Sequence, residues 1–342
     1  MFSRENRADS INGILFVALF ALAALQISHW PWVHNLGISP LIVGILLGIA
    51  YANTLHHRLP RAWLPGIGFT ARRILRLAVI LYGFNITLQE LIAIGWGGLA
   101  AAVVMMSTTL LLAWLIGVRL LGMERETAML TGAGSAICGA AAIMAFEPVV
   151  KAKGHQTSAA VATVVLFGSC AMLLYPLMFQ LGVLDLSSHS WGIYIGSTVH
   201  EVAQVVGAAS DINREACNDA VIVKMTRVML LVPALLMVGW WWARSGSHGQ
   251  AAGGAATVSV PWFALGFLAV ALFNSTHWLP HLWVVRAQQA DQFLLTMAMT
   301  ALGMETSLDR LKGVGIKPFV LAALLFVWLL CGGYGATRWI GG

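Results

Sequence analysis

Apolar runs about as long as a bilayer is thick follow one another along this chain with little between them. A hydrocarbon core of about 30 Å takes about 20 apolar residues in a helix. Read in such windows, the sequence offers eleven candidate spans: 11–28, 38–54, 74–92, 97–118, 127–147, 157–181, 191–209, 219–243, 260–275, 291–307 and 315–337. Only 10% of the 342 residues are charged and 59% are hydrophobic, whereas a soluble domain carries about 25% charge. So few charges cannot cover a water-facing surface. The solvent is lipid, which excludes a cytosolic enzyme, a nucleic-acid binder and a secreted domain. Cys138, Cys170, Cys217 and Cys331 are scattered with no Cys-x-x-Cys pair, which argues against a disulfide framework and a zinc site. The expected fold class is an all-α polytopic membrane protein of about eleven transmembrane helices.

Orientation follows the positive charges, which exceed the negative by 6. Arg4 and Arg7 place the N-terminus in the cytoplasm, and the first run reads as a retained helix because no small-residue cleavage site precedes His29-Trp30-Pro31. The loops holding Arg58, Arg61, Arg72, Arg73 and Arg76, and Arg310, Lys312 and Lys317, are expected to be cytoplasmic too. Eleven alternating spans satisfy all three and put the C-terminus outside. Lys151 and Lys153 disagree, because alternation turns them outward. Either that loop is an exception or 127–147 is a re-entrant pair of half-helices. The Gly- and Ala-rich stretch 245–257 reads as a flexible cytoplasmic linker. It separates a first bundle, 1–244, from a second helical segment, 258–342.

That second segment echoes 40–120. Pro40 precedes Asn53 by the same spacing as Pro261 precedes Asn274, and Gly83-Phe-Asn85-Ile-Thr87-Leu88 matches Gly303-Met-Glu305-Thr-Ser307-Leu308. The first copy of the latter lies at the outer end of its span and the second at the inner end. Equivalent segments pointing in opposite directions make an inverted-topology repeat, the usual frame of a secondary transporter, with sites near the midplane.

Two stretches break the helical pattern. In Thr131-Gly-Ala-Gly134-Ser135-Ala-Ile-Cys138-Gly139, three glycines fall within eight residues, each costing about 1 kcal/mol against Ala in a helix. One reading is close helix packing on small residues. The other is an interrupted helix whose freed amides hold an anion, with Thr131 and Ser135 adding hydroxyls. The second stretch, Gly196-Ser197-Thr198-Val-His200-Glu201-Val-Ala-Gln204, puts His200, Glu201 and Gln204 in the middle of an apolar run. Ionisable groups at that depth face a cavity or a partner. Glu201 either pairs with Lys224 or Arg227 to hold helices together, or, with His200, binds substrate and carries a proton. A zinc protease is disfavoured, because Gln204, a poor zinc ligand, stands where H-E-x-x-H needs its second histidine. Asn85, Lys224, Arg227 and Glu305 are secondary candidates; Lys224 and Arg227, three apart, share a helix face and either snorkel or line an anion path.

The blocks Gly134–Ile143 and Gly196–Val205, with Pro40–Gly48, Leu81–Leu88, Glu147–Lys153 and Ala301–Thr306, resemble the YeiH-type sulfate exporter family across essentially the whole chain. The resemblance implies an inner-membrane carrier moving sulfate or sulfite outward, similar in frame to the cation–proton antiporters and bile-acid sodium symporters. In that larger group two broken helices cross antiparallel. Alternation instead makes the fifth and seventh spans parallel, so either a span is miscounted around 127–156 or the tenth span is the crossing partner and brings Gly303 and Glu305 to the site.

The expectation is a proton-coupled secondary transporter, not an enzyme, working without cofactor or metal on a small inorganic anion in the lipid bilayer; the architecture allows a homodimer. Substrate contacts are expected from Thr131, Gly134, Ser135, Cys138, Gly139, Ser197, Thr198, His200 and Gln204, and proton coupling from Glu201 with His200. The alternatives are a cation–proton or organic-acid antiporter on the same architecture, a channel, and an intramembrane enzyme.

Overall fold

The computed structural model describes residues 7–35, 38–55, 60–244, 261–306 and 315–340. Arg4, Arg58, Arg310, Lys312, the 245–257 linker and the Ser307–Leu311 end of the repeat lie outside them. Among the described residues every regular element is helical. Five helices among the described residues are long and apolar enough to cross a membrane: Ala8–Ser28, Gly95–Leu120, Gly154–Gln180, Arg214–Trp242 and Ile316–Ile340.

In chain order, α1 is Arg7–Ser28 and α2 is Pro40–Thr54, with Pro40 at the first helical position, where its missing N–H is not needed. Leu64–Phe69, a π turn over Thr70–Ile74 and Leu75–Leu81 run on as one rod, α3, which ends in the 3-10 turn Tyr82–Asn85. A Thr87–Glu90 capping box opens the short α4, Leu88–Ala93. Next come α5, Gly95–Trp114; α6, Arg125–Ala136; α7, Ala140–Val150; and α8, Gly154–Gln180. Then α9, Ser188–Thr198, and α10, Val202–Ser210, precede α11, Arg214–Met229, and α12, Leu231–Arg244. The last three are α13, Trp262–Ser275; α14, His281–Glu305; and α15, Ile316–Ile340.

Contacts between remote residues give α2, α3, α13 and α14 their relative directions. Arg72 meets Glu305 at 3.4 Å and Asn85 meets Asp291 at 3.2 Å, so α3 and α14 are antiparallel. Gly44 lies against Thr296 and Thr300, and Gly48 against Thr300 and Met304, so α2 runs parallel to α14. The absence of side chains at Gly44, Gly48 and Gly303 lets these two backbones touch. Gly83 packs on Phe267 and Ala271 and Gly266 on Ile80, which makes α13 parallel to α3 and antiparallel to α2.

The fifth and seventh expected spans do not cross the bundle. Gln156 at the start of α8 donates to Glu124, just before α6, at 2.5 Å. Both ends of the α6–α7 pair therefore lie together. Gly134 packs on both Ile143 and Val164, so α7 turns back beside α6 while α8 runs parallel to it. The α9–α10 pair does the same from the opposite end: Asn213, just before α11, donates to Ser188 at 2.7 Å, and Gly192 and Gly196 pack on Ala216 to Val223 of the parallel α11. Two helical hairpins thus enter from opposite ends, and their first arms, α6 and α9, point at each other. This corrects the parallel arrangement that simple alternation gives: one miscount lies around 127–156 and a second over 191–209.

The hairpin also moves Lys151 and Lys153. They stand at the end that carries Arg119 and Arg125, where Lys317 donates to Gly122 at 3.3 Å. Arg72 and Arg76 line one cavity with Glu147 and Thr157 at this same arginine-rich end. At the far end are Glu90, His189, Arg214, Glu215 and Asp219, and Arg338 donates to the Asp185 carbonyl at 3.4 Å.

Candidate functional site

The first arm of each hairpin stops in the protein interior, leaving carbonyls that receive no hydrogen bond from a following turn. An α-helix carries about half a negative charge at that end. Lys224 and Arg227, one turn apart on α11 and both fully buried, fill the gap. Lys224 Nζ donates to the Ile137 carbonyl at 2.5 Å and the Val199 carbonyl at 2.7 Å. Arg227 donates to the carbonyls of Ser135, Ala136 and Gly196. Neither cation snorkels, and neither pairs with Glu201. Their charge neutralises two helix C-termini that meet head to head.

The second arms begin beside them, and here the ends are positive. Gly139 sits at φ +68°, the left-handed region that only glycine enters freely, and it starts α7. A Cβ at Gly139 would lie 2.3 Å from Glu201 Cγ. Glu201 starts α10, and its Oε1 accepts the Ala140 amide of α7 at 3.1 Å. The amide of Glu201 itself donates to Gln204 Oε1 at 3.2 Å. The carboxylate of one hairpin therefore rests on the positive end of the other. Glu201 Oε2, His200 Nδ1 and Gln204 Nε2 are buried without a hydrogen-bond partner. Gly168 of α8 makes room for Gln204, whose Oε1 would lie 2.1 Å from a Cβ there.

A cavity of about 630 Å³ leads from the arginine-rich end to this point. Cys138, Ala140 and Glu201 line its floor; Arg72, Arg76 and Glu305 stand on its wall with Glu147, Thr157 and Ser158. Leu75, Val79, Met144, Val161, Phe263 and Leu302 make much of the rest aliphatic or aromatic.

Of the residues expected at a site, Cys138, Gly139 and Glu201 come together at the cavity floor, with Gln204 beneath Glu201. Glu305 stands on the cavity wall beside Arg72. Thr131 and Ser135 are buried in α6 with unpartnered hydroxyls, and Gly134 serves packing against Ile143 and Val164. Ser197 and Thr198 turn their hydroxyls back to the Tyr194 carbonyl, and Thr198 also meets Tyr175 at 2.6 Å. Asn85 lies elsewhere, against Asp291. Sequence reasoning missed Gly168 and Asp291. The latter carried a signal, a lone acid opening an apolar stretch in 291–307.

Comparisons with known proteins agree on one family. Residues 12–322 match the family model described as conserved hypothetical protein 698. A UPF0324 membrane protein of Bordetella pertussis is 50% identical over 330 residues, covering 96% of this chain and 95% of the relative. A UPF0324 membrane protein of Pseudomonas putida is 50% identical over 327 residues, covering 96% and 92%. One of Bacteroides thetaiotaomicron is 46% identical over 331 residues, covering 96% and 98%.

Proposed function

This chain belongs to the UPF0324 family of membrane proteins, and we propose that it is a secondary transporter that moves a small anion, sulfate or sulfite, across the inner membrane with proton coupling. The observation that carries this reading is the Glu201 carboxylate resting on the Ala140 amide at the floor of a cavity. A helix N-terminus is a ready anion site, and here the protein's own anion holds it. Protonating Glu201 removes that charge and frees the α7 N-terminus for an anion arriving past Arg72 and Arg76. Proton and anion binding are then linked, and acidification strengthens anion binding.

The frame supports carriage. The hairpins enter from opposite ends, and α2 and α13, like α3 and α14, run in opposite directions, as an inverted repeat requires. Lys151 and Lys153 at the arginine-rich end remove the exception to the positive-inside rule, which supports a cytoplasmic placement for that end and for the N-terminus. The cavity's volume and aliphatic wall favour a second reading, an organic-acid antiporter on the same architecture.

Sulfate uptake into inverted vesicles, driven by a proton gradient, tests the reading. Wild type should accumulate sulfate, and Glu201→Gln should lose the dependence on the gradient. Uptake unchanged in Glu201→Gln would refute the coupling role, and carboxylates that compete better than sulfate would select the organic-acid reading.

A further inference from the structure

A second carboxylate is buried in the bundle, and nothing at the hairpin tips uses it. Asp291 lies on α14, ten residues after its first residue, so about 15 Å along the helix. It is 2% exposed. Its Oδ2 accepts a single hydrogen bond, from Asn85 Nδ2 at 3.2 Å, and its Oδ1 is buried with no partner. An ionised carboxylate left so poorly satisfied is costly at membrane depth, and such a group marks a proton or ion route.

The surroundings select a proton over a metal cation. The carbonyls nearest Asn85 are already engaged: Phe84 accepts from Asn274 and Gln288, Ile86 from Asn274, and Asn85 itself from Asn218. A hard cation needs a shell of several oxygens, whereas a proton needs one lone pair on Oδ1. Among the described residues no Lys, Arg or His pairs with Asp291. The titratable groups that face it are Tyr82 on the α3 turn and Cys217 on α11, with Asp211 and Arg214 beyond them.

A line of polar side chains leads from Asp291 to the far end. Asn218 Nδ2 donates both to the Asn85 carbonyl, at 3.1 Å, and to Glu90 Oε1, at 3.0 Å. Asn218 and Glu90 line a second cavity, of about 340 Å³, with His189, Arg214, Glu215 and Asp219. Each end of the bundle thus has a cavity, and a buried carboxylate with one free oxygen stands behind each. Glu201 is behind the arginine-rich one and Asp291 behind the far one.

We infer that Asp291 is a second proton-binding carboxylate, whose opening to solvent is the far-end cavity past Glu90 and Asn218. Glu201 exchanges its proton with the arginine-rich end and Asp291 with the far end. When access changes, the proton leaves one carboxylate for the other, so that one is ionised as the other is protonated and the proton is released on the side opposite to where it was taken up. This rests on the proton-coupled transporter reading above.

Full-length protein reconstituted in liposomes, with a sulfate gradient and a trapped pH-sensitive dye, tests it. In Asp291→Asn, which keeps the shape of the protonated acid, sulfate-driven proton flux should fall at least tenfold. Labelled sulfate-for-sulfate exchange should stay within twofold of wild type, which also shows that the variant folds. Asp291→Glu should recover flux with a shifted pH profile. Proton flux in Asp291→Asn within twofold of wild type would overturn the assignment alone. Asp291→Glu as inert as Asp291→Asn would make Asp291 structural and overturn it too. Wild type that moves sulfate with no proton flux would overturn both this and the coupling it rests on.

Discussion

A methyl group added at Gly139 would strike both the side chain of Glu201 and the positive φ that turns the first hairpin. Gly139→Ala should therefore displace Glu201 from the Ala140 amide and abolish sulfate transport, even where purified protein still elutes as one folded species. Transport at wild-type rates would show that this contact is not needed. Lys224 makes a different kind of prediction. Replacing it by Met strands the carbonyls of Ile137 and Val199 in the interior, and each buried acceptor left unpaired costs about 1–3 kcal/mol. Lys224→Met should lower stability by about 2–6 kcal/mol, read as the midpoint of denaturant unfolding in detergent. At this scale the sequence was informative, because scarcity of charge made His200, Glu201, Lys224 and Arg227 stand out in apolar runs. It did not reveal their partners. Main-chain carbonyls receive Lys224 and Arg227, and a main-chain amide receives Glu201. No residue type announces a bare carbonyl.

The hairpins were legible as elements only in part. Arms of 12 and 11 helical residues add up to the length and apolar content of one span, so a window cannot tell a crossing from a return. The return depends on one turn at Gly139 and on the tie between Glu124 and Gln156. Only the misplaced charges of Lys151 and Lys153 hinted at it. Two cysteines placed at 124 and 156 should accordingly cross-link in the membrane, whereas a crossing helix would hold them a bilayer apart. The contact of α2 with α14 was not legible either, since glycine is common throughout the chain. It gives a further prediction. A Cβ at Gly48 would come 2.3 Å from the Thr300 carbonyl, so Gly48→Leu should separate the two helices and lower the melting temperature by several degrees. A smaller bulk at the same site, Gly48→Ala, should lower it less.

The whole molecule combines a scaffold of long helices with two short hairpins that meet inside it, closed by buried cations on one side and an acid on the other. The all-helical class and the membrane solvent followed from composition. The opposed hairpins did not, because they arise from which end each pair returns to. The central claim joins these scales: Glu201 and the transported anion compete for one helix end, so a proton decides which is bound. Calorimetric titration of purified protein with sulfate, repeated from about pH 8 to about pH 5, tests it most directly. The account predicts wild-type affinity rising with acidity, by up to about tenfold per pH unit, and a tighter, nearly pH-independent affinity in Glu201→Gln. Equal pH dependence in the two proteins would contradict it.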